Sequence, residues 1–240
     1  MLAQRLAGRA DLAVTLSLAG RTAAPAAQGV PVRFGGFGGV AGLADYLVNE
    51  RIDALIDATH PYADTISANA VAAARRTNVA FIALRRPPWT AVAGDRWTAV
   101  ADARDAVRAL GKNSRRVLVA LGRQELAPLA DAPQHFYLIR SVDPVDPPLD
   151  LPQASYITAR GPFDDADERA LLVAHKIDAV IAKNSGGTAT YGKIAAARAL
   201  SIEVILLRRP PATAGGAVET VDEVMVWLGH TLTSAAARGV

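Results

Sequence analysis

Residues 53–110 read DALIDATHPYADTISANAVAAARRTNVAFIALRRPPWTAVAGDRWTAVADARDAVRAL. Residues 178–228 read DAVIAKNSGGTATYGKIAAARALSIEVILLRRPPATAGGAVETVDEVMVWL and say nearly the same thing again. Asp53 matches Asp178, Arg75 matches Arg198, and Pro87-Pro88 match Pro210-Pro211, with one short deletion in the second copy between the first match and the others. Each copy opens with apolar β-formers, passes a polar loop and enters a helix of small apolar residues. It then returns to a β-run and stops at Arg-Arg-Pro-Pro, where proline has no N–H for a sheet ladder. Strand, helix, strand at this spacing is a parallel α/β pattern, and a pattern stated twice predicts two domains. The scaffold positions match but the loops do not: Asp57-Ala58-Thr59-His60-Pro61-Tyr62 stands against Ala182-Lys183-Asn184-Ser185-Gly186-Gly187. Two similar frames with different loops predict two half-sites facing one cleft.

Outward from the first copy, residues 12–18 and 30–34 read as strands, the second running into Gly35-Gly36-Phe37-Gly38-Gly39 and a helix to residue 49. Residues 95–100 suit a short strand and 101–110 a helix. Ahead of the second copy, residues 116–121 read as a strand followed by a Gly-Arg-Gln turn and a short helix, and 136–140 and 155–158 as two more strands. Residues 164–175, 190–200 and 220–228 read as helices, and the tail from 231 to 240 as frayed. The expected domains are residues 1–112 and 113–240. Aligning them pairs residues 2–6 with the helix after Gln124, and 12–18 with 136–140. The N-terminal domain is therefore expected to lack its first strand and turn, which in a doubly wound sheet is a central position, and an in-frame strand upstream of Met1 is the expectation.

The 240 residues carry a net charge of +3 and are 51% hydrophobic, much of it alanine suited to close helix packing. The basic residues are scattered, so no nucleic-acid footprint is expected, and a cleft for a small polyanion suits them better. The absence of cysteine excludes disulfides, thiolate metal sites and a cysteine nucleophile. No apolar run approaches the ~18 residues of a membrane helix, and no secretory pattern is present, so no membrane association and a cytoplasmic location are expected.

Lys183-Asn184-Ser185-Gly186-Gly187 stands where a buried strand gives way to a helix, the edge at which open α/β sheets bind ligands. Its glycines let backbone N–H groups approach an anion, and Lys183 adds a charge and a proton. The alternative is an ordinary turn. The loop is not a Walker A motif, because the lysine precedes the glycines. Thr59-His60-Pro61-Tyr62 holds the equivalent place in the first copy. His60 can hydrogen-bond a carboxylate or relay a proton, and Tyr62 offers a ring and a hydroxyl. The alternative is a helix entry capped by Thr59 with Pro61 in the first turn. No metal site is expected there. Arg160, in Thr158-Ala159-Arg160-Gly161-Pro162-Phe163, is placed to grip a carboxylate or phosphate, or else is a solvated arginine beside a turn. Gly35 and Gly36 allow a ring or pyrophosphate near the backbone but lack the G-x-G-x-x-G order. Arg85-Arg86 and Arg208-Arg209 end matching strands, as exposed charge or as phosphate ligands. Trp89, Trp97 and Trp227 read as packing residues.

Taken together, DATHPYA, TARGPF, AKNSGG followed by Tyr191, Lys193 and AAR, the FGGFGG loop and the double RRPP resemble the precorrin-6A reductase family, from Leu2 to about Leu228. The resemblance implies two Rossmann-like parallel-sheet domains with a cleft between them and a strand exchanged between the domains, near residues 95–100 and 216–221. It implies hydride transfer from NADPH to a double bond of precorrin-6A, giving precorrin-6B in cobalamin biosynthesis. Thr59, His60, Tyr62, Arg160, Lys183, Asn184, Ser185, Gly186 and Gly187 stand in intact motifs and carry over. The family's opening strand and glycine turn have no match here. Lys183 is the expected proton donor or charge stabiliser with His60 second, while Arg160 and the Ser185-Gly186-Gly187 amides hold carboxylates or phosphate. The alternatives are the same reduction on a cobalt-containing substrate, or a non-catalytic two-lobed protein that binds a small anion. Transient contact with the next enzyme of the pathway is a further expectation.

Overall fold

The computed structural model describes residues 2–20, 28–211 and 215–236. In chain order its elements are α1 Leu2–Ala7, β1 Leu16–Leu18, β2 Val32–Phe34, α2 Gly39–Asn49, β3 Ala54–Asp57, α3 Asp64–Thr77 and β4 Ala80–Leu84. There follow β5 Trp97–Val100, α4 Ala103–Leu110, β6 Arg116–Ala120, β7 Phe136–Ser141, β8 Ala154–Thr158, α5 Asp165–Ala174 and β9 Ala179–Lys183. The chain closes with α6 Gly192–Ala199, β10 Glu203–Leu207, β11 Ala217–Val218 and α7 Val221–Ala236. The short helix expected after Gln124 is two 3₁₀ turns, Arg123–Glu125 and Ala127–Asp131, with Pro128 opening the second. The tail expected to fray is helical to Ala236, and residues 237–240 lie outside the described residues.

The chain forms two compact units, and the division is not at residue 112. One unit is Met1–Arg86 with Pro210–Val240; the other is Pro87–Arg209. The reason is strand pairing. β5, assigned from chain order to the N-terminal half, hydrogen-bonds in parallel along β10, from Val204 opposite Trp97 to Leu207 opposite Val100. β11, assigned to the C-terminal half, runs parallel to β4, with Ala217 opposite Ala83.

The Pro87–Arg209 unit holds one six-stranded parallel sheet, ordered β5-β10-β9-β6-β7-β8. Its central strands β6 and β9 are apolar runs because both faces are covered, while the edge strand β8 is largely exposed. Val117, Leu118, Val119, Ala179, Val180, Ile181 and Ala182 are all fully buried. From β6 the chain steps to β7 and β8, then returns to place β9 on the other side of β6. The order therefore reverses between β6 and β9. Helices α4 and α5 start at side-chain caps, where Asp102 accepts from the Asp105 N–H at 2.8 Å and Asp164 from the Ala166 N–H at 2.7 Å, whereas α6 starts without one.

In the other unit the described strands form two parallel sheets, β11-β4-β3 and β1-β2. Its core packs α2 on α3, with Leu43, Ala44 and Leu47 against Ala70 and Ala73, beside Leu55 and Phe81 of the sheet. The alanines of α3 permit this approach, since no side chain beyond Cβ separates the helices.

Candidate functional site

In the Pro87–Arg209 unit, the carboxyl ends of β6 and β9 flank the point where strand order reverses, the crevice in which open α/β sheets bind ligands. After β6 comes Gly122-Arg123-Gln124-Glu125, and after β9 Lys183-Asn184-Ser185-Gly186-Gly187. A carboxylate spans the two. Glu125 accepts the Gly122 N–H at 3.0 Å and forms an ion pair with the Lys183 ammonium. The side chains of Lys183 and Glu125 are 17% and 31% exposed, so the pair reaches solvent without being immersed in it.

The rest of the β9 loop is tied down from outside. The Asn184 side chain forms a reciprocal pair with the backbone of Trp89: its Oδ1 accepts the Trp89 N–H at 2.7 Å and its Nδ2 donates to the Trp89 carbonyl at 2.9 Å. Arg209 Nε donates to the Asn184 carbonyl at 2.7 Å. Gly186 and Gly187 have φ of +65° and +72°, the left-handed region. A Cβ at Gly186 would collide with the Pro87 carbonyl and the Arg209 guanidinium, so the close approach this glycine permits is that of the protein itself. Arg160 is exposed on the loop after β8. That loop is joined to the β9 loop where the Phe163 N–H donates to the Ala189 carbonyl at 3.0 Å.

Beneath these loops lies a buried charge cluster. Arg140 grips Glu168 through both carboxylate oxygens, one bond being 2.9 Å, and its guanidinium stacks on Phe163 at 4.1 Å. Lys193, 5% exposed, donates to the Thr190 carbonyl at 2.5 Å. Burial first, and the positive charge of Arg140 second, push its pKa from 10.5 down to about 7, with Glu168 opposing.

In the other unit, Asp57 ends β3 nearly buried. Its Oδ1 accepts from the Thr59 hydroxyl at 2.6 Å and the Thr59 N–H at 3.0 Å, and its Oδ2 from Arg85 at 2.9 Å. Arg85 also donates to the Ser67 hydroxyl at 2.6 Å. Thr59 therefore does not cap α3, because Asp57 takes its hydroxyl. The helix instead begins at Asp64 after Ala63, with no side-chain cap, and Pro61 precedes it. His60 is exposed, its ring 5.6 Å from that of half-buried Tyr62, and its Nδ1 accepts the Tyr62 N–H at 3.4 Å. Among the described residues, no atom beyond their own neighbours along the chain lies within 4 Å of where a Cβ would stand at Gly35, Gly36, Gly38 or Gly39. Arg33 holds the Gly35 and Gly36 carbonyls at 2.6 and 3.0 Å and stacks on Phe37 at 3.9 Å. Among the described residues, no cluster of three or more His, Cys, Asp or Glu is arranged to hold a metal, and no helix is long and apolar enough to cross a membrane.

The family described as "Precorrin-6x reductase CbiJ/CobK" matches residues 1–229. The chain belongs to the precorrin-6x reductase family. It is 56% identical to the precorrin-6A reductase of Sinorhizobium sp, over 95% of this chain and 88% of that protein. It is 50% identical to that of Rhodobacter capsulatus, over 100% and 94%. A solved structure titled "CobK precorrin-6A reductase" superposes with a TM-score of 0.90 at 50% identity, covering 96% of this chain and 91% of that one. The Rossmann-like α/β fold of this reductase family is thus the fold of this chain.

Within this family member, the sites named from sequence fall into two groups. Lys183, Asn184, Ser185, Gly186, Gly187 and Arg160 share the Pro87–Arg209 unit; Thr59, His60, Tyr62, Gly35 and Gly36 belong to the other. Residue-by-residue reading passed over Glu125, whose position three after Gly122 is the spacing of a capping box but without the usual Ser or Thr. Nor does sequence alone single out Asp57 or Arg33, and it offers Trp89 only as a packing residue.

Proposed function

We propose that the chain reduces precorrin-6A to precorrin-6B in cobalamin biosynthesis, with NADPH as the reductant. The observation that carries the reading is the Lys183–Glu125 pair at the point where strand order reverses, in a member of a reductase family. The glycines at 35, 36, 38 and 39 fit a bound dinucleotide, since each leaves room that a Cβ would otherwise take. Gly35 and Gly36, with their carbonyls fixed by Arg33, would hold part of the cofactor against the backbone. NADPH supplies the hydride.

The chain's own residues supply the rest. As hydride adds to an electrophilic carbon of the conjugated ring, the electron pair of the broken double bond needs a proton at the neighbouring atom. Lys183 gives that proton and Glu125 orients the ammonium from which it comes. Arg160, the Ser185 side chain and the backbone amides of Gly186 and Gly187 bind carboxylates or phosphate, since the Ser185 N–H itself donates to the Lys183 carbonyl at 2.8 Å. His60 and Tyr62 bind substrate carboxylate in the same reading, with His60 the second choice as acid. A cytoplasmic location and brief contact with the next pathway enzyme belong to it too.

Removal of a general acid costs on the order of 10²-fold or more. Lys183→Ala is therefore expected to slow NADPH oxidation in the presence of precorrin-6A by about that factor. Near-normal turnover in that variant removes Lys183 from the role. Metal-free and cobalt-loaded substrate, each offered with NADPH and NADH, identify the natural pair. Binding of the tetrapyrrole without oxidation of either nicotinamide overturns the reductase reading in favour of a binding protein.

A further inference from the structure

Trp89 makes more bonds to the β9 loop than a packing residue needs. Its N–H and carbonyl bond the Asn184 amide at 2.7 and 2.9 Å, as a neighbouring strand would. Its indole Nε1–H donates to the Gly187 carbonyl at 2.7 Å. The Lys193 ammonium lies 5.0 Å from the centre of the same ring and holds the Thr190 carbonyl. Arg209 closes the arrangement, bonding the Asn184 carbonyl at 2.7 Å and the Pro87 carbonyl at 3.2 Å. The loop that begins at Lys183 is thus held at Asn184, Gly187 and Thr190, each time by Trp89 or by a group resting on its ring.

We propose that Trp89 is a positioning residue for Lys183, fixing the Asn184–Thr190 loop so that the ammonium stays where a proton is needed. The inference rests on the reading of Lys183 as proton donor. Two glycines at positive φ leave this loop with little local stiffness of its own, so its order comes from bonds made outside it. A small displacement of an acid from its reacting partner costs rate far more than binding.

Trp89→Phe keeps the backbone bridge and a ring near Lys193, deletes the bond to Gly187 and trims the buried ring that packs on Tyr191. Two measurements test it. Amide hydrogen exchange in the peptide spanning residues 185–190 is expected to rise about tenfold, with β6, β9 and β10 unchanged. Turnover is expected to fall about tenfold with KM within about twofold, and Trp89→Phe combined with Lys183→Ala is expected to be no slower than Lys183→Ala alone. Unchanged exchange in that peptide overturns the positioning role whatever Lys183 does. Losses that multiply in the double variant overturn it while leaving Lys183 as the acid. Near-normal turnover of Lys183→Ala by itself overturns the reading beneath it. Asn184→Ser, which cuts the backbone bridge and spares the ring, runs the same comparison if Trp89→Phe does not fold.

Discussion

The loop after β3 and the loop after β9 occupy matching places in the repeat and are secured by different chemistry. After β3, the anchor is a charge pair: Asp57 gathers Thr59 and Arg85, and Arg85 reaches on to Ser67. After β9, the place of Asp57 is taken by Ala182, fully buried, and neutral groups of Asn184 and Trp89 do the anchoring. An arginine from the end of the adjacent strand serves both loops, Arg85 in one and Arg209 in the other, but Arg209 binds a carbonyl instead of a carboxylate. In the second arrangement the Lys183–Glu125 ion pair is separate from the Asn184–Trp89 anchor. The helices that follow differ as well. The repeat sets Lys193 of α6 against Ala70 of α3, both buried. The sheets contrast in the same sense: β7 has β6 and β8 on its two sides, whereas β1 among the described residues has only β2.

The largest expected difference is in the sheets. Leu138 of β7 is fully buried while Leu16 of β1 is half-buried. Leu138→Ala should cost about 3 kcal/mol in urea unfolding and Leu16→Ala under about 1 kcal/mol. Equal costs would break the contrast. Next come the loops. Asp57→Ala leaves Arg85 without its carboxylate and should cost about 2 kcal/mol, less than a fully buried pair because the Arg85 side chain is 19% exposed. Asn184→Ala removes two neutral bonds and should cost about 1 kcal/mol. The reverse ranking would show that charge is not what separates the two anchors.

The smallest effect sharpens the helix comparison. The unfolded chain binds a proton at Lys193 up to about pH 10.5, whereas the folded chain releases it above about pH 7. The burden of a buried ammonium is therefore full below about pH 7 and eases as pH rises between these values, so this residue makes stability climb with pH. The groups facing it are Arg140, Glu168, the Trp89 ring and the Thr190 carbonyl. Lys193→Met should remove about 1 kcal/mol of the gain in stability between pH 6.5 and 8. An identical pH slope in the two proteins would show that Lys193 does not titrate in that range.

Much of this is legible in the sequence. The alternation of apolar β-runs with alanine-rich helices set the fold class, because buried parallel strands and close-packed helices each demand that composition. The placing of Lys183 and Thr59 at strand ends followed from the same periodicity. Partnership was not readable. Nothing in Trp97-Thr98-Ala99-Val100 says that its neighbour is β10, since strand composition carries no address; only the family resemblance drew attention to that segment. The roles of Glu125 and Trp89 were hidden because they arise between loops far apart in the chain. The cap that stood as the alternative for Thr59 fails because a competing acceptor, Asp57, ends the preceding strand.

One unit of this molecule is a single uninterrupted stretch, Pro87–Arg209, inserted into a unit whose pieces lie on either side of it. During translation the inserted unit has all its strands as soon as Arg209 emerges, and domains generally fold as units as they become complete. The first 86 residues do not share that timing, because β4 must wait for Ala217 and Val218 before its open edge is covered. The unit begun before Pro87 is therefore completed after the one inserted into it, and the β4 edge stays open to stray strand pairing until Ala217 and Val218 are made.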